Sequence, residues 1–459
     1  MRAVIAVAAC ALALAPAALA DGLFVASDKQ LTQVWAASVK TADDVVQKPV
    51  ALDKRDCSIN LPTVILDGVS RDRCPYVGDL AVTGMTLLVS GGDVQTLGNM
   101  VAWFASVQND DGSIPGGAIF DHSKVLIDYN AYWIETLYDY VLYTGDRGLL
   151  VSVWPNLVRL VDGFYPAQVD SSGLLQAWLN EADYAYIRRP GPTVAYYNAQ
   201  YARALQMAAA LATWKGEPAR AAAWRARAAA VKAAFGVFWD RKVGAFSDTT
   251  ADPNVHPLDG NVFALLAGLA TPAERQGVLA FIRIALQHRY GDTIVDSSAW
   301  DGGLWGDGGW TRIIPFMNYF ELLARFGAGD DKGALNVIRR EWGYMLGQEP
   351  GTMWESIDDD TGRPVTPNGS LDHGWSSGAA PALTSFVLGV QPTSPGFATF
   401  TVTPHPGNLA WAHGVVPTPH GDIAVSWRLR RGKPVVTVQA PPGTVWTNGP
   451  QGPALSSRK

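Results

Sequence analysis

Along the first 390 residues, apolar positions recur three and four apart, the spacing of one face of an α-helix. In 27–40, Leu31, Val34, Trp35 and Val39 share such a face behind a Ser-Asp cap. The same spacing predicts a hairpin from the apolar run 80–90 and the stretch 93–109, broken by Gly91-Gly92. In 128–144 it aligns Trp133, Leu137, Tyr140 and Val141 before a stop at Gly145, and 147–165 follows as a partner. Alanine-rich helices over 194–214 and 218–239 meet at Lys215-Gly216. Pairs at 260–269 with 272–288 and at 311–326 with 331–346, then a helix over 376–388, complete the series. Long irregular loops separate the pairs, and no internal repeat is visible, so a solenoid is excluded. Hairpins of unlike sequence, with polar loops gathered at one end, predict a mostly α fold, an (α/α)6 barrel.

After Gln391 the period changes from helical to alternating. Apolar and polar residues interchange between Pro and Gly turns in 392–407 and 422–441, which predicts strands and a small C-terminal β-sandwich over 391–459. The expected organisation is a leader over 1–20, a barrel over 21–390 and this appendage. The leader is read from Met1-Arg2, the apolar run 4–14 and the small residues Ala18-Leu19-Ala20. Together they have the form of a secretory signal peptide cleaved after Ala20, and predict a secreted or periplasmic protein. No later apolar run is long enough to span a bilayer.

Composition narrows the partners. A formal charge of −6 and a pI near 5.7, without a basic stripe, exclude nucleic acid. Seventeen Trp and fifteen Tyr supply either an aromatic core or flat walls for a sugar. Cys57 and Cys74 remain after the leader is removed. In an oxidising compartment they form a disulfide, and otherwise they are buried thiols; both readings stay open here.

Candidate chemistry concentrates in LDGVSRDRCPYVGD, residues 66–79. Asp67, Arg71, Asp72, Arg73 and Asp79 crowd a Gly- and Pro-containing segment, although only 17% of the chain is charged. Hydrolysis of a glycosidic bond needs one carboxyl to protonate the leaving oxygen and another to activate water or attack the sugar. The plainer reading makes Asp79 a helix cap and Arg71-Asp72-Arg73 a surface ion-pair cluster. Glu355, beside Trp354 in a Gly- and Asp-rich loop, is the candidate base, and His373 a donor to sugar hydroxyls. Trp300, Trp305 and Trp310 form a glycine-spaced aromatic loop. No metal-ligand spacing, P-loop, dinucleotide fingerprint or Gly-x-Ser-x-Gly is present, so no cofactor is expected.

The segment LDGVSRDRCPYVGD closely resembles the corresponding motif of α-L-rhamnosidases, glycoside hydrolase family 78. The resemblance continues in order through ASDKQLTQVW, AYWIETLYDYVLYTGD, IPFMNYFELLARFGAGD, RREWGYMLGQEPGTMWES, HGWSSG, FVLGVQPTSPGF and VVPTPHGDIAVSW. It implies an (α/α)6 barrel with a C-terminal β-sandwich, and inverting hydrolysis of terminal α-L-rhamnosides, so that the expected partner is a rhamnosylated glycoside or oligosaccharide. By position it implies Asp72 as general acid and Glu355 as the base that activates water. It implies Asp67, Arg71 and Asp79 as grips on the sugar hydroxyls, with Trp133, Tyr184, Trp354 and His373 lining the pocket. Three departures stand out. The acid position is often Glu in the family, Tyr76 stands where Trp is common, and the β-domains that usually precede the barrel are not seen. Other readings remain open at this point: another exo-acting α/α-barrel glycosidase, a polysaccharide lyase, or a rhamnoside-binding protein without turnover.

Overall fold

The computed structural model describes residues 21–49, 57, 59–118, 125–177, 183–185, 187, 189–296, 312–365 and 370–449. The expected leader, the Trp300–Trp305–Trp310 run and the charged tail 456–459 lie outside the described residues.

The chain opens with strand β1 (Leu23–Ala26) and helix α1 (Lys29–Asp44), whose N-cap Asp28 accepts from the Gln30 N–H. Short strands β2 (Val46–Gln47) and β3 (Val64–Ile65) pair antiparallel and lead through the charged segment into α2 (Val77–Ser90). Then come α3 (Val94–Ser106), α4 (Tyr129–Thr144) and α5 (Arg147–Val158), a π-turn over Arg159–Phe164 and the short α6 (Tyr165–Gln168). Next are α7 (Ala195–Lys215) and α8 (Pro218–Ala234), a strand pair β4 (Trp239–Asp240) and β5 (Ala245–Phe246), and then α9 (Leu258–Leu266) and α10 (Pro272–Phe281). Strand β6 (Arg312–Ile313) precedes α11 (Pro315–Gly327), α12 (Asp331–Arg340) and α13 (Trp342–Leu346). Strand β7 (Ile357–Asp358) pairs back onto β6, and α14 (Ala379–Ala382) runs into a π-helical stretch, Leu383–Leu388.

These helices form two concentric rings. Along the inner ring α2 packs on α4, α4 on α7, α7 on α9, α9 on α11, α11 on α14, and α14 back on α2. Inner helices are enclosed on all sides, and every residue of α2 is buried, Asp79 included, which is why its sequence is mostly apolar and has no charged outer stripe. Outer helices bury one stripe. In α8 it is Ala221, Trp224, Ala228 and Val231, with arginines on the other side. Helix α1 packs on α14, so the first helix supplies the outer partner of the last inner one. The fold is the expected helical barrel. Gly91, Gly145 and Gly216 end α2, α4 and α7 in the left-handed region, as the hairpin joints require.

Some expectations need correction. The helix over 331–346 is broken at Glu341 into α12 and α13, and the second piece turns the Trp342 indole N–H onto the Ser376 carbonyl, 2.6 Å away. The helix over 376–388 is short α, then π. The C-terminal region holds β8 (Val390–Pro392), β9 (Thr399–Val402), β10 (Trp411–Val416), β11 (Ile423–Arg430), β12 (Lys433–Gln439) and β13 (Val445–Thr447). They form two sheets, ordered β1-β10-β11-β12 and β13-β9-β8. One edge strand therefore comes from outside the stretch 391–459. β1 pairs antiparallel with β10, Leu23 opposite Val415 and Ala26 opposite Ala412. Gly414 makes this approach possible, because a Cβ there would lie 2.1 Å from the Leu23 carbonyl oxygen. Among the described residues no helix is long and apolar enough to cross a membrane.

Candidate active site

A cavity opens at one end of the barrel. Each described contributor to its wall precedes an inner helix or lies in that helix's first turn. Asp67, Arg71, Tyr76 and Asp79 belong to the start of α2, and Tyr129 begins α4. Tyr184 precedes α7, and Glu355, His373 and Trp375 precede α14. Residues nearly 300 positions apart in sequence thus converge because the inner ring brings the same end of every hairpin together.

The segment 66–79 is held at several points. Cys57 and Cys74 form a disulfide, with Cα atoms 5.6 Å apart, which settles the choice that the sequence left open. The backbone N–H groups of Asp67 and Cys74 tie the loop to itself: Asp67 donates to the Cys74 carbonyl, and Cys74 donates to Asp67 Oδ1 at 3.1 Å. Arg73 has φ +53°, in the left-handed region, and this turns its side chain away from Asp72. It donates instead to the Val69 carbonyl and Gln47 Oε1.

Arg71 remains at the wall and donates from one arm to Glu355 Oε1 and from the other to Asp72 Oδ2, the latter at 3.3 Å. Tyr76 donates its phenol proton to the same Asp72 oxygen at 2.9 Å. Asp72 is not among the described residues that line the cavity; it stands behind Arg71 and Tyr76. Glu355 is buried, and its Oε2 accepts weakly from the Ser370 N–H at 3.4 Å, while the Trp375 indole donates to its backbone carbonyl. Asp79 is not the cap of α2. The cap position is Tyr76, and Asp79 sits in the first turn with Oδ1 3.1 Å from His373 Nε2.

Electrostatics differ sharply between these groups. Burial pushes the Asp67 carboxyl up to about 7; the charges of Asp79 and Asp72 add to this, while His373 and Arg71 oppose it. Its Oδ2 has no hydrogen-bond partner among the described residues. For His373, burial pulls the imidazole down, but the bond to Asp79 and the charges of Glu355, Asp79 and Asp67 outweigh it, and the net direction is up. The pocket wall thus sets the Arg71 guanidinium and the His373 imidazole among three acids, Asp67, Asp79 and Glu355.

The aromatic walls are partly where the sequence placed them. Tyr184 lines the cavity and donates to Asp259 Oδ2 at 3.3 Å. Asp259 belongs to a buried cluster in which Arg189 binds Asp183, Asp248 and Asp259 together. Burial raises the Asp259 carboxyl to about 6 against the pull of Arg189. Trp133 does not reach the cavity. It is fully buried, with its indole donating to the Val101 carbonyl of α3, and Tyr129, one turn earlier on α4, occupies the wall instead. Trp354 is buried beside Tyr344 behind the wall, its indole N–H without a partner among the described residues. Trp375, which stacks on Phe316 with centroids 5.1 Å apart, supplies the aromatic surface next to His373. Sequence reasoning passed over Tyr129 and Trp375, and the one available signal was their position at the start of an inner helix.

Residues 35–290 match the model of the bacterial α-L-rhamnosidase six-hairpin glycosidase domain, and residues 389–447 match that of the bacterial α-L-rhamnosidase C-terminal domain. The chain belongs to this six-hairpin α-L-rhamnosidase family. Among solved structures it is similar to a family 78 rhamnosidase of Bacillus sp. GL1, with 25% identity and a TM-score of 0.77, over 95% of this chain and 43% of that one. The α-L-rhamnosidase of Streptomyces avermitilis, complexed with L-rhamnose, shares the fold at 18% identity and a TM-score of 0.68, over 93% of this chain and 38% of that one. The rhamnosidase of Klebsiella oxytoca with rhamnose bound does so at 20% and 0.62, over 80% of this chain and 65% of that one. The chain therefore spans less than half the length of the Bacillus and Streptomyces proteins. No curated protein sequence matches it.

Proposed function

We propose that the chain is an exported glycoside hydrolase that removes terminal α-L-rhamnose with inversion, Asp72 giving the proton and Glu355 activating water. The observation that carries this reading is the Arg71 fork, which holds the two carboxyl groups on different arms of one guanidinium at the cavity wall. Inversion needs two carboxyls roughly 6.5–9.5 Å apart, with room for water between them. Glu355 takes a proton from water as its oxygen attacks the anomeric carbon, and the glycosidic oxygen leaves on the other side with the proton that originates on Asp72.

Asp67, Asp79 and His373 supply polar groups for the sugar hydroxyls, while Tyr129, Tyr184 and Trp375 supply flat apolar faces. That two relatives of the same fold hold rhamnose supports the choice of sugar. The leader over 1–20 and the Cys57–Cys74 disulfide support export into an oxidising compartment.

The test is the anomer first released from an aryl α-L-rhamnoside, followed by proton NMR. Initial β-L-rhamnose is expected. Initial α-L-rhamnose would overturn inversion, and no release would overturn the activity.

A further inference from the structure

Asp72 is set back from the space where a substrate sits, and the group between is Tyr76. Its ring forms part of the cavity wall, and its hydroxyl is 2.9 Å from Asp72 Oδ2. The Asp72 side chain is only 12% exposed, with Arg71 on the same oxygen. Tyr76 has little freedom to move aside. Its backbone is extended (φ −128°, ψ 143°), bridges Gly117, and is flanked by bonds from Val77 N–H to Gly116 and from Ala118 N–H to Pro75. The ring lies flat on Gly117, where an added Cβ would come within 2.5 Å of it. A side chain fixed this firmly, bonded to the acid and facing the cavity, meets the geometric requirement for a proton carrier.

We propose that Tyr76 is a catalytic residue of this site, a phenol that passes the proton of Asp72 to the leaving glycosidic oxygen. The inference rests on the reading of Asp72 as the acid. The phenol donates to Asp72 when that carboxyl is ionised, as here; once Asp72 is protonated the bond reverses, and as the C1–O bond breaks the leaving oxygen takes the Tyr76 proton and the Asp72 carboxylic acid replaces it. Water's oxygen bonds C1 and its proton goes to Glu355. Tyr76 begins and ends neutral, Asp72 ends as carboxylate and Glu355 as acid, so protons and charge balance. The two transfers are concerted, because a free phenolate, with an ordinary pKa of about 10, is a poor intermediate at neutral pH.

The experiment compares a methyl α-L-rhamnoside, whose leaving group needs a proton, with the 2,4-dinitrophenyl rhamnoside, whose leaving group does not. Tyr76→Phe keeps the ring on Gly117. It is expected to lower kcat on the methyl glycoside by about 100-fold or more, within the usual range for losing a general acid, and to spare the dinitrophenyl substrate. Asp72→Glu in the Tyr76→Phe background, whose carboxyl reaches one methylene further, is expected to restore most of the methyl glycoside rate. A proton inventory in mixed H2O and D2O is expected to bow more strongly in the wild type, where three protons move, than in that double variant, where two do. The relay is overturned if Tyr76→Phe retains the methyl glycoside rate. It is equally overturned if both substrates suffer alike and Asp72→Glu gives no rescue, since that is the signature of a packing role. Asp72→Asn, tested on the same pair, separates the two claims: an active Asp72→Asn removes the acid assignment itself, whereas a harmless Tyr76→Phe removes only the relay.

Discussion

Arg71 and Glu355 lie 284 positions apart and share a salt bridge at the cavity wall. The same guanidinium holds Asp72, so one side chain spaces both carboxyl groups. A lysine would keep the charge but offers a single point donor in place of a planar fork. Arg71→Lys is therefore expected to lower kcat on an aryl α-L-rhamnoside by about 10-fold or more, the rough cost of one charge-assisted hydrogen bond, with the folded state preserved. Steady-state kinetics with circular dichroism as a control check this. An unchanged kcat would show that the fork does not set the spacing.

The two carboxyls are distinguishable by leaving group. With Glu355 as the proposed water-activating base, Glu355→Gln is expected to cut hydrolysis of every α-L-rhamnoside, activated or not, by roughly 100-fold or more. Asp72→Asn is expected to cost a similar factor only where the leaving oxygen needs a proton. A rate series over aryl rhamnosides of graded phenol acidity measures this, and equal losses from both variants across the series would contradict the division of roles.

Asp67 gives the stability a pH dependence whose sign can be worked out. Burial raises its folded-state pKa to about 7, against an ordinary value of 3.8. Between those two values the folded state binds more protons than the unfolded chain, so stability falls as pH rises. The contribution is complete below about pH 4 and lost above about pH 7, and amounts at most to about 4 kcal/mol. Asp67→Asn keeps an acceptor for the Cys74 N–H but cannot ionise. Relative to wild type, it should gain stability on going from pH 4.5 to pH 8. Urea unfolding of both proteins across that range is the measurement, and parallel curves would mean that Asp67 does not titrate there.

The disulfide joins positions 17 apart and fixes the loop that carries Asp67, Arg71 and Asp72. Replacing both cysteines by serine is expected to cost about 2–4 kcal/mol of stability. It should also raise KM, because Cys74 supplies the backbone N–H that orients Asp67. Denaturant unfolding and rhamnoside kinetics on the Cys57→Ser/Cys74→Ser protein test both parts.

Beneath Tyr184, Arg189 is the shared cation of Asp183, Asp248 and Asp259. Its loss would strand buried carboxylates, for which roughly 3–5 kcal/mol is the usual cost. Arg189→Met is expected to unfold at correspondingly lower urea. A stability equal to wild type would show that the acids are already protonated.

Much of this molecule is legible in the sequence because it is local. The hairpins follow from period and turn residues, and the charged segment 66–79 stands out against an apolar chain. Trp133 shows where locality ends. It lies one turn from Tyr129 on the same helix, and periodicity cannot say which turn emerges at the mouth of the barrel. Asp79 reads equally well as a cap or as a partner, until His373 arrives from the far end of the chain. The Arg189 cluster draws on residues from 183 to 259 with no shared pattern, so it is visible only once α7 and α9 are side by side. Tyr76 is legible as an aromatic residue at a helix start, but its bond to Asp72 depends on the turn made by Arg73 at positive φ.

β1 is made well before its hydrogen-bonding partner β10, which begins at Trp411. During folding that strand pairs only once β10 is present, while the helical hairpins between them can assemble in order. The seam between β1 and β10 is thus a highly non-local contact and should be among the last to form. At four residues the waiting strand is short enough to be a poor template for other chains. A segment made early is tied down late.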